Sequence, residues 1–180
     1  MAKAELKEIF WDDIPGGSFA EDPRFLKENY YSMPRTGWIE NWQTFHCHLI
    51  QGAGFEDYQA NAHFRMCSQR LKDLFENNKG TEDKIQWLDA TLTWNGETRP
   101  YYALHFYECM DVVDPVASKW NPETRSFDAL HPVFLREKIV NHNVFTIPLS
   151  TVMLVVKPFI VQEMKRMNMT GMSYGVAVVK

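Results

Sequence analysis

The residues best suited to chemistry lie in two short stretches, His46-Cys47-His48 and His63 to Cys67. Histidines at i and i+2 on a strand project from one face, and His46 and His48 could share a zinc ion with His63 and Cys67. The spacing matches none of the common zinc signatures. The same letters also describe the polar face of a strand whose Phe45, Cys47 and Leu49 point inward. Asp111-Val-Val-Asp114 offers paired carboxylates for a metal or for acid/base work, at a spacing that one helical turn brings together. Asp114-Pro115 followed by Ser118 is equally good turn chemistry, and a capping role is the expectation for both acids. No Gly-x-Ser-x-Gly elbow or cysteine-nucleophile motif occurs, and His105 and His131 stand isolated. Gly52-Ala53-Gly54 lacks the third glycine and the helix of a dinucleotide fingerprint, so it reads as a turn. The residues therefore predict a non-catalytic protein with no cofactor; a small metal-dependent enzyme using His46, His48, His63 and Cys67 is the alternative.

A different use of charge is binding. Asp12, Asp13, Glu21, Asp22, Glu40, Glu56 and Asp57 could together form a surface that attracts a basic partner. The chain carries 19 basic and 23 acidic residues, a formal net charge of −4, which argues against phosphate-backbone binding and hence against nucleic acid as partner. Its 6 Trp, 7 Tyr and 12 Phe supply rings for a core and for a partner surface.

These residues need elements to position them. At 180 residues and 45% apolar content, one domain with a core that needs no disulfide is expected. Cys47, Cys67 and Cys109 give an odd count without Cys-x-x-Cys spacing, which suits a reducing compartment, and the charged start lacks the apolar run of a secretory signal. The longest apolar stretch, Val152 to Val156, is too short to span a bilayer. A cytoplasmic protein off the membrane is the expectation.

Residues 1–40 are punctuated by Pro15-Gly16-Gly17, Pro23, Pro34 and Gly37 and read as a loop-rich segment that wraps the outside. Strands are expected over Trp42 to Ile50, around Phe64 to Met66, and in a hairpin of Ile85–Trp94 and Arg99–Tyr107 turned at Asn95-Gly96. Ser68 is placed to cap a helix from about Gln69 to Glu76, which Asn78 or Gly80 would end in a left-handed conformation. Cys109 to Arg136 reads as a long connection with a short helical turn at most. Strands at Val144–Ile147, Val152–Val156 and Tyr174–Val179 surround a helix begun by Pro158. Phe64–Trp87 and Met153–Val178 thus share one order: strand, short helix, glycine turn, strand.

The segments Phe64 to Phe75, Tyr101 to Asp114 with Ser118, and Val144 to Gly171 resemble the myxococcal-type immunity proteins of bacterial polymorphic toxin systems. The resemblance covers residues 60–178, with Tyr102, Asp111, Asp114, Ser118 and Gly171 as its structural markers. The first sixty residues match nothing in it, and Lys157-Pro158 stands where the family carries a Ser-type helix cap. It implies a protein that binds a cognate toxin or effector in the producer's cytoplasm and blocks it; an interaction module of another complex is the competing non-catalytic reading. The expected fold is α+β: a single domain over residues 1–180, a mixed or antiparallel sheet of about six strands, and two packed helices.

Overall fold

The computed structural model describes residues 6–11, 18–21, 36–51, 54–60, 65–108, 110–118, 120–121, 126–127, 132–147 and 154–180. In chain order the strands are β1 (Leu6–Trp11), β2 (Ser18–Glu21), β3 (Phe45–Gln51), β4 (Tyr58–Ala60), β5 (Arg65–Cys67), β6 (Ile85–Trp94), β7 (Glu97–Phe106), β8 (Trp120–Asn121), β9 (Ser126–Phe127), β10 (Val133–Phe134), β11 (Val144–Phe145), β12 (Leu154–Val156) and β13 (Met172–Val179). Helix α1 (Gln69–Asn78) lies between β5 and β6, and α2 (Pro158–Arg166) between β12 and β13. The α+β class holds, but two main sheets replace the single one expected: β10-β13-β1-β12-β11 and β2-β3-β6-β7-β5-β4. Each is mixed, because β10–β13 and β3–β6 pair in parallel while the other pairs are antiparallel.

The internal symmetry seen in the sequence is a symmetry of topology. In the first unit, β5 and β6 both pair antiparallel with β7, which lies between them. In the second, β12 and β13 both pair antiparallel with β1. Each unit is therefore a strand–helix–strand crossover split by a third strand, and the intruding strand of the second unit comes from the N-terminus. The wrapping role expected for residues 1–40 is corrected for the two strands described there. Leu6–Trp11 is the central strand of its sheet, and β2 forms the edge of the other. The Cys109–Arg136 connection also contains more than a turn, since β8, β9 and β10 lie within it.

Local chemistry explains the elements. Ser68 Oγ accepts from the Leu71 amide at 3.3 Å and starts α1, whose Leu71, Leu74 and Phe75 are buried. Its end departs from expectation: Lys79 is extended (φ −60°, ψ 146°), and Asn78 Nδ2 donates to the Leu74 carbonyl instead of the chain turning left-handed. Pro158 opens α2 without a side-chain cap at Lys157, and Ile160, Val161 and Met164 face inward. Asn95 (φ 49°) and Gly96 (φ 82°) both take the positive φ that a type I′ hairpin turn requires.

Three apolar centres result. The first joins both sheets to both helices through Tyr58, Cys67, Leu104, Phe106, Leu154, Val156 and Met172 with the inner faces of α1 and α2. The second lies on the other face of the β3-β6-β7 region, where Phe45, Leu88, Leu92 and Tyr101 are covered by Ile39, Trp42 and Phe55. The third backs the five-stranded sheet with Val112, Phe134, Phe145 and Val179.

The two halves also clamp one another's glycine turns. Beyond α1, Gly80 lies so close to the Asn141 carbonyl that an added Cβ would stand 2.0 Å from that oxygen. Asp83 secures this contact: its buried carboxylate accepts from the amides of Gly80 (2.6 Å), Asn143 (3.1 Å) and Val144 (2.8 Å), and meets His142 Nδ1 at 3.1 Å. Beyond α2, Gly171 (φ +85°) would place a Cβ 2.0 Å from the Tyr58 carbonyl. There Asp57 accepts from Ser68 Oγ (2.7 Å) and the Thr170 amide (3.2 Å), while the Tyr58 amide donates to the Thr170 carbonyl. Each half thus supplies the carbonyl against which the other's turn is packed.

Candidate partner-binding surface

The fold leaves His46 and His48 on one face of β3 but takes Cys67 away from them. Phe45, Cys47 and Leu49 are buried while His46 and His48 alternate with them and are exposed. His46 Nδ1 lies 2.6 Å from Thr91 Oγ1 on the neighbouring strand. Cys67 is fully buried on β5, three strand positions from β3 across β6 and β7. At ~4.8 Å per position that is ~14 Å, several times a zinc–ligand bond. His63 lies outside the described residues. Among the described residues, no three His, Cys, Asp or Glu side chains converge on a point where an ion could sit. Burial also pushes the Cys67 thiol far above its ordinary value, the opposite of what a nucleophile needs.

Asp111 and Asp114 diverge as well. Asp111 is exposed and pairs with Lys138 at 2.9 Å. Asp114 Oδ1 accepts from the amides of Val116 and Ala117, both at 2.9 Å, and Lys180 Nζ reaches Oδ2 at 3.1 Å. The Ala117 amide above all, then Lys180 and the Val116 amide, hold the Asp114 carboxyl below the usual carboxylate range. Ser118 is buried and takes the Val133 amide on its Oγ at 2.8 Å. This turn is a cap that ties the Asp111–Ser118 segment to β10. Tyr102, half-buried, hydrogen-bonds Gln69 of α1 through its hydroxyl and carries the Lys72 ammonium 3.6 Å from its ring centre. With Gly171 in its clamp, Tyr102, Asp114, Ser118 and Gly171 are tied into the fold, while Asp111 stays exposed and caps nothing among the described residues.

The acidic residues divide differently. Asp12, Asp13 and Asp22 lie outside the described residues, and Glu21 ends β2 opposite Cys47. Glu40 is exposed. Glu56 is half-buried, its carbonyl accepting from the Tyr101 hydroxyl. Asp57 is corrected: it is buried, satisfied by Ser68 and Thr170, and further paired with Arg70 at 3.4 Å. An aspartate that holds two segments together from the interior is not part of a docking face.

What the sequence did not disclose is a strap over residues 36–42. The Gly37 amide donates to the Tyr107 carbonyl at 2.7 Å, and the Gly37 carbonyl accepts from His105 Nε2 at 2.8 Å, which fixes the imidazole proton on that nitrogen. Gln86 brackets Ile39: its Oε1 accepts from the Ile39 amide at 2.9 Å and its Nε2 donates to the Ile39 carbonyl at 2.7 Å. Trp42 Nε1 donates to the Asp89 carbonyl at 2.8 Å. Gln86 and His105 are both buried and adjacent in register, so the strap supplies the hydrogen bonds their burial demands. Burial, with Arg65 adding to it against the Gly37 hydrogen bond, holds the His105 pKa below the usual histidine value. Between the two pinned residues, Trp38 is 60% exposed, with one edge against the Tyr107 ring at 5.3 Å.

No helix of the described residues is long and apolar enough to cross a membrane. No curated protein matches the sequence. A family model does match, described as the immunity protein family (Imm11), and it runs over residues 7–179, including the N-terminal strand for which the sequence resemblance had no counterpart. That span follows from the fold, because β1 completes the five-stranded sheet and cannot be separated from the rest. A match over nearly the whole chain places this protein in the Imm11 immunity protein family.

Proposed function

We propose that the chain is the immunity partner of a polymorphic-type bacterial toxin: it binds its cognate toxin in the producer's cytoplasm and neutralises it by covering it, without chemistry of its own. The family match over residues 7–179 is the observation that carries this reading. Occlusion needs a rigid surface, and two mixed sheets whose glycine turns are packed against each other's backbone are consistent with that requirement. Asp12, Asp13, Glu21, Asp22, Glu40 and Glu56 are proposed to give this surface an acidic character that speeds encounter with a basic toxin.

The reading is tested by recovering the tagged protein from its host and identifying what co-purifies, with and without chelator. Near-equimolar recovery of the toxin encoded beside it, indifferent to chelator, is expected. Stoichiometric zinc without a toxin partner would instead favour a metal-dependent role.

A further inference from the structure

Single apolar side chains on a protein surface are common, so the exposure of one indole carries weight only where the backbone beneath it is built to hold it there. Trp38 is such a case: it is 60% exposed, whereas Trp42, on the same strap, is half-buried against the core. Its position is also built. On one side Gly37 is held by Tyr107 and the buried His105, and on the other Ile39 is held at both amide and carbonyl by the buried Gln86. With both neighbours turned toward the sheet, the residue between them is directed away from it. A ring on two rotatable bonds, seated on a fixed backbone, loses little entropy on contact with a partner.

We infer that Trp38 is the anchor of the toxin-binding surface, an indole held outward by the Gln86 and His105 clasp for insertion into an apolar socket with a basic rim on the toxin. The exposed acids argue for that rim: Glu40 lies in the strap and Glu108 follows Tyr107, set against Arg35 just before the strap and Lys84, whose carbonyl accepts from the Tyr107 amide. This inference rests on the proposed immunity function. A central aromatic inside a charged border is the arrangement that concentrates binding energy in protein interfaces.

The test uses the purified toxin encoded beside this chain, titrated against wild type, Trp38→Ala and, as a control, Val116→Ala, another exposed apolar residue at 86%. Trp38→Ala is expected to weaken binding about 30-fold or more with thermal stability unchanged, and Val116→Ala to stay within about threefold. Glu40→Lys is expected to slow association at low salt by about tenfold. Wild-type-like affinity of Trp38→Ala would overturn the inference while leaving the immunity reading intact. A wild-type chain that does not bind the toxin would overturn both. Because the alanine variant could loosen the strap, hydroxyl-radical footprinting of the wild-type complex provides a second readout. Oxidation of Trp38 is expected to fall at least fivefold on toxin binding, and undiminished oxidation would refute the anchor.

Discussion

Three glycines allow the clamp between the two halves to be measured. Gly96 and Gly171 have nearly equal positive φ, +82° and +85°, but a Cβ at Gly96 would meet nothing within 4 Å, whereas at Gly171 it would stand 2.0 Å from the Tyr58 carbonyl and 2.9 Å from Glu56 Cβ. At Gly80 the space is equally closed, 2.0 Å from the Asn141 carbonyl, and φ is not in the left-handed region. Substitution by alanine thus separates two costs. Gly96→Ala bears only the left-handed penalty, roughly 1–2 kcal/mol. Gly80→Ala bears only the displacement of packed backbone, about 1–3 kcal/mol. Gly171→Ala bears both, about 2–5 kcal/mol, and its movement of Tyr58 strains the amide bond to Thr170 and the Asp57 contacts beside it. For a domain of this size each kcal/mol lowers the melting temperature by roughly 2–4 °C, so expected falls are about 2–8 °C for Gly96→Ala and about 4–20 °C for Gly171→Ala. Calorimetry of the three variants in one buffer is the assay. Melting of Gly171→Ala within about 2 °C of Gly96→Ala would refute the claim that the halves are locked at this turn.

Two further outcomes follow, one from Asp83 in the clamp and one from His105 beneath the strap. Asp83→Asn sets an amide among the Gly80, Asn143 and Val144 donors, where one of its faces must oppose an N–H; a loss of about 2–4 kcal/mol is expected in urea titrations. His105 has a depressed folded pKa, so the unfolded chain binds the proton more readily. Stability from this residue is complete above the unfolded value near 6.5 and falls as pH drops through it. His105→Gln keeps an N–H for the Gly37 carbonyl but does not titrate, and its urea midpoint is expected to change less than wild type between pH 7 and pH 5; equal slopes would contradict the assignment.

Features governed by neighbours in sequence were readable before any coordinates. The Ser68 cap, the Pro158 start, the Asn95-Gly96 hairpin and the doubled strand–helix–glycine–strand order all depend on residues within a few positions. The place of β1 was not, because Leu6–Trp11 begins with Leu-Lys-Glu, which favours no sheet, and is ordered by β12 and β13 about 150 residues later. Its Ile-Phe-Trp run was the available signal. Asp57 read as surface charge for a similar reason: its partner Thr170 is 113 positions away. The strap was hidden because Gln86 and His105 look like ordinary strand residues until Gly37 and Ile39 are laid across them.

The central claim, that this Imm11-family chain neutralises a toxin by binding it, is tested most directly by mixing the purified chain with the purified toxin encoded beside it and following complex formation and toxin activity in one titration. The account predicts a defined complex and loss of toxin activity that ends at its stoichiometric point. Full toxin activity in the presence of excess chain, or inhibition that continues at substoichiometric chain as turnover would give, would contradict it.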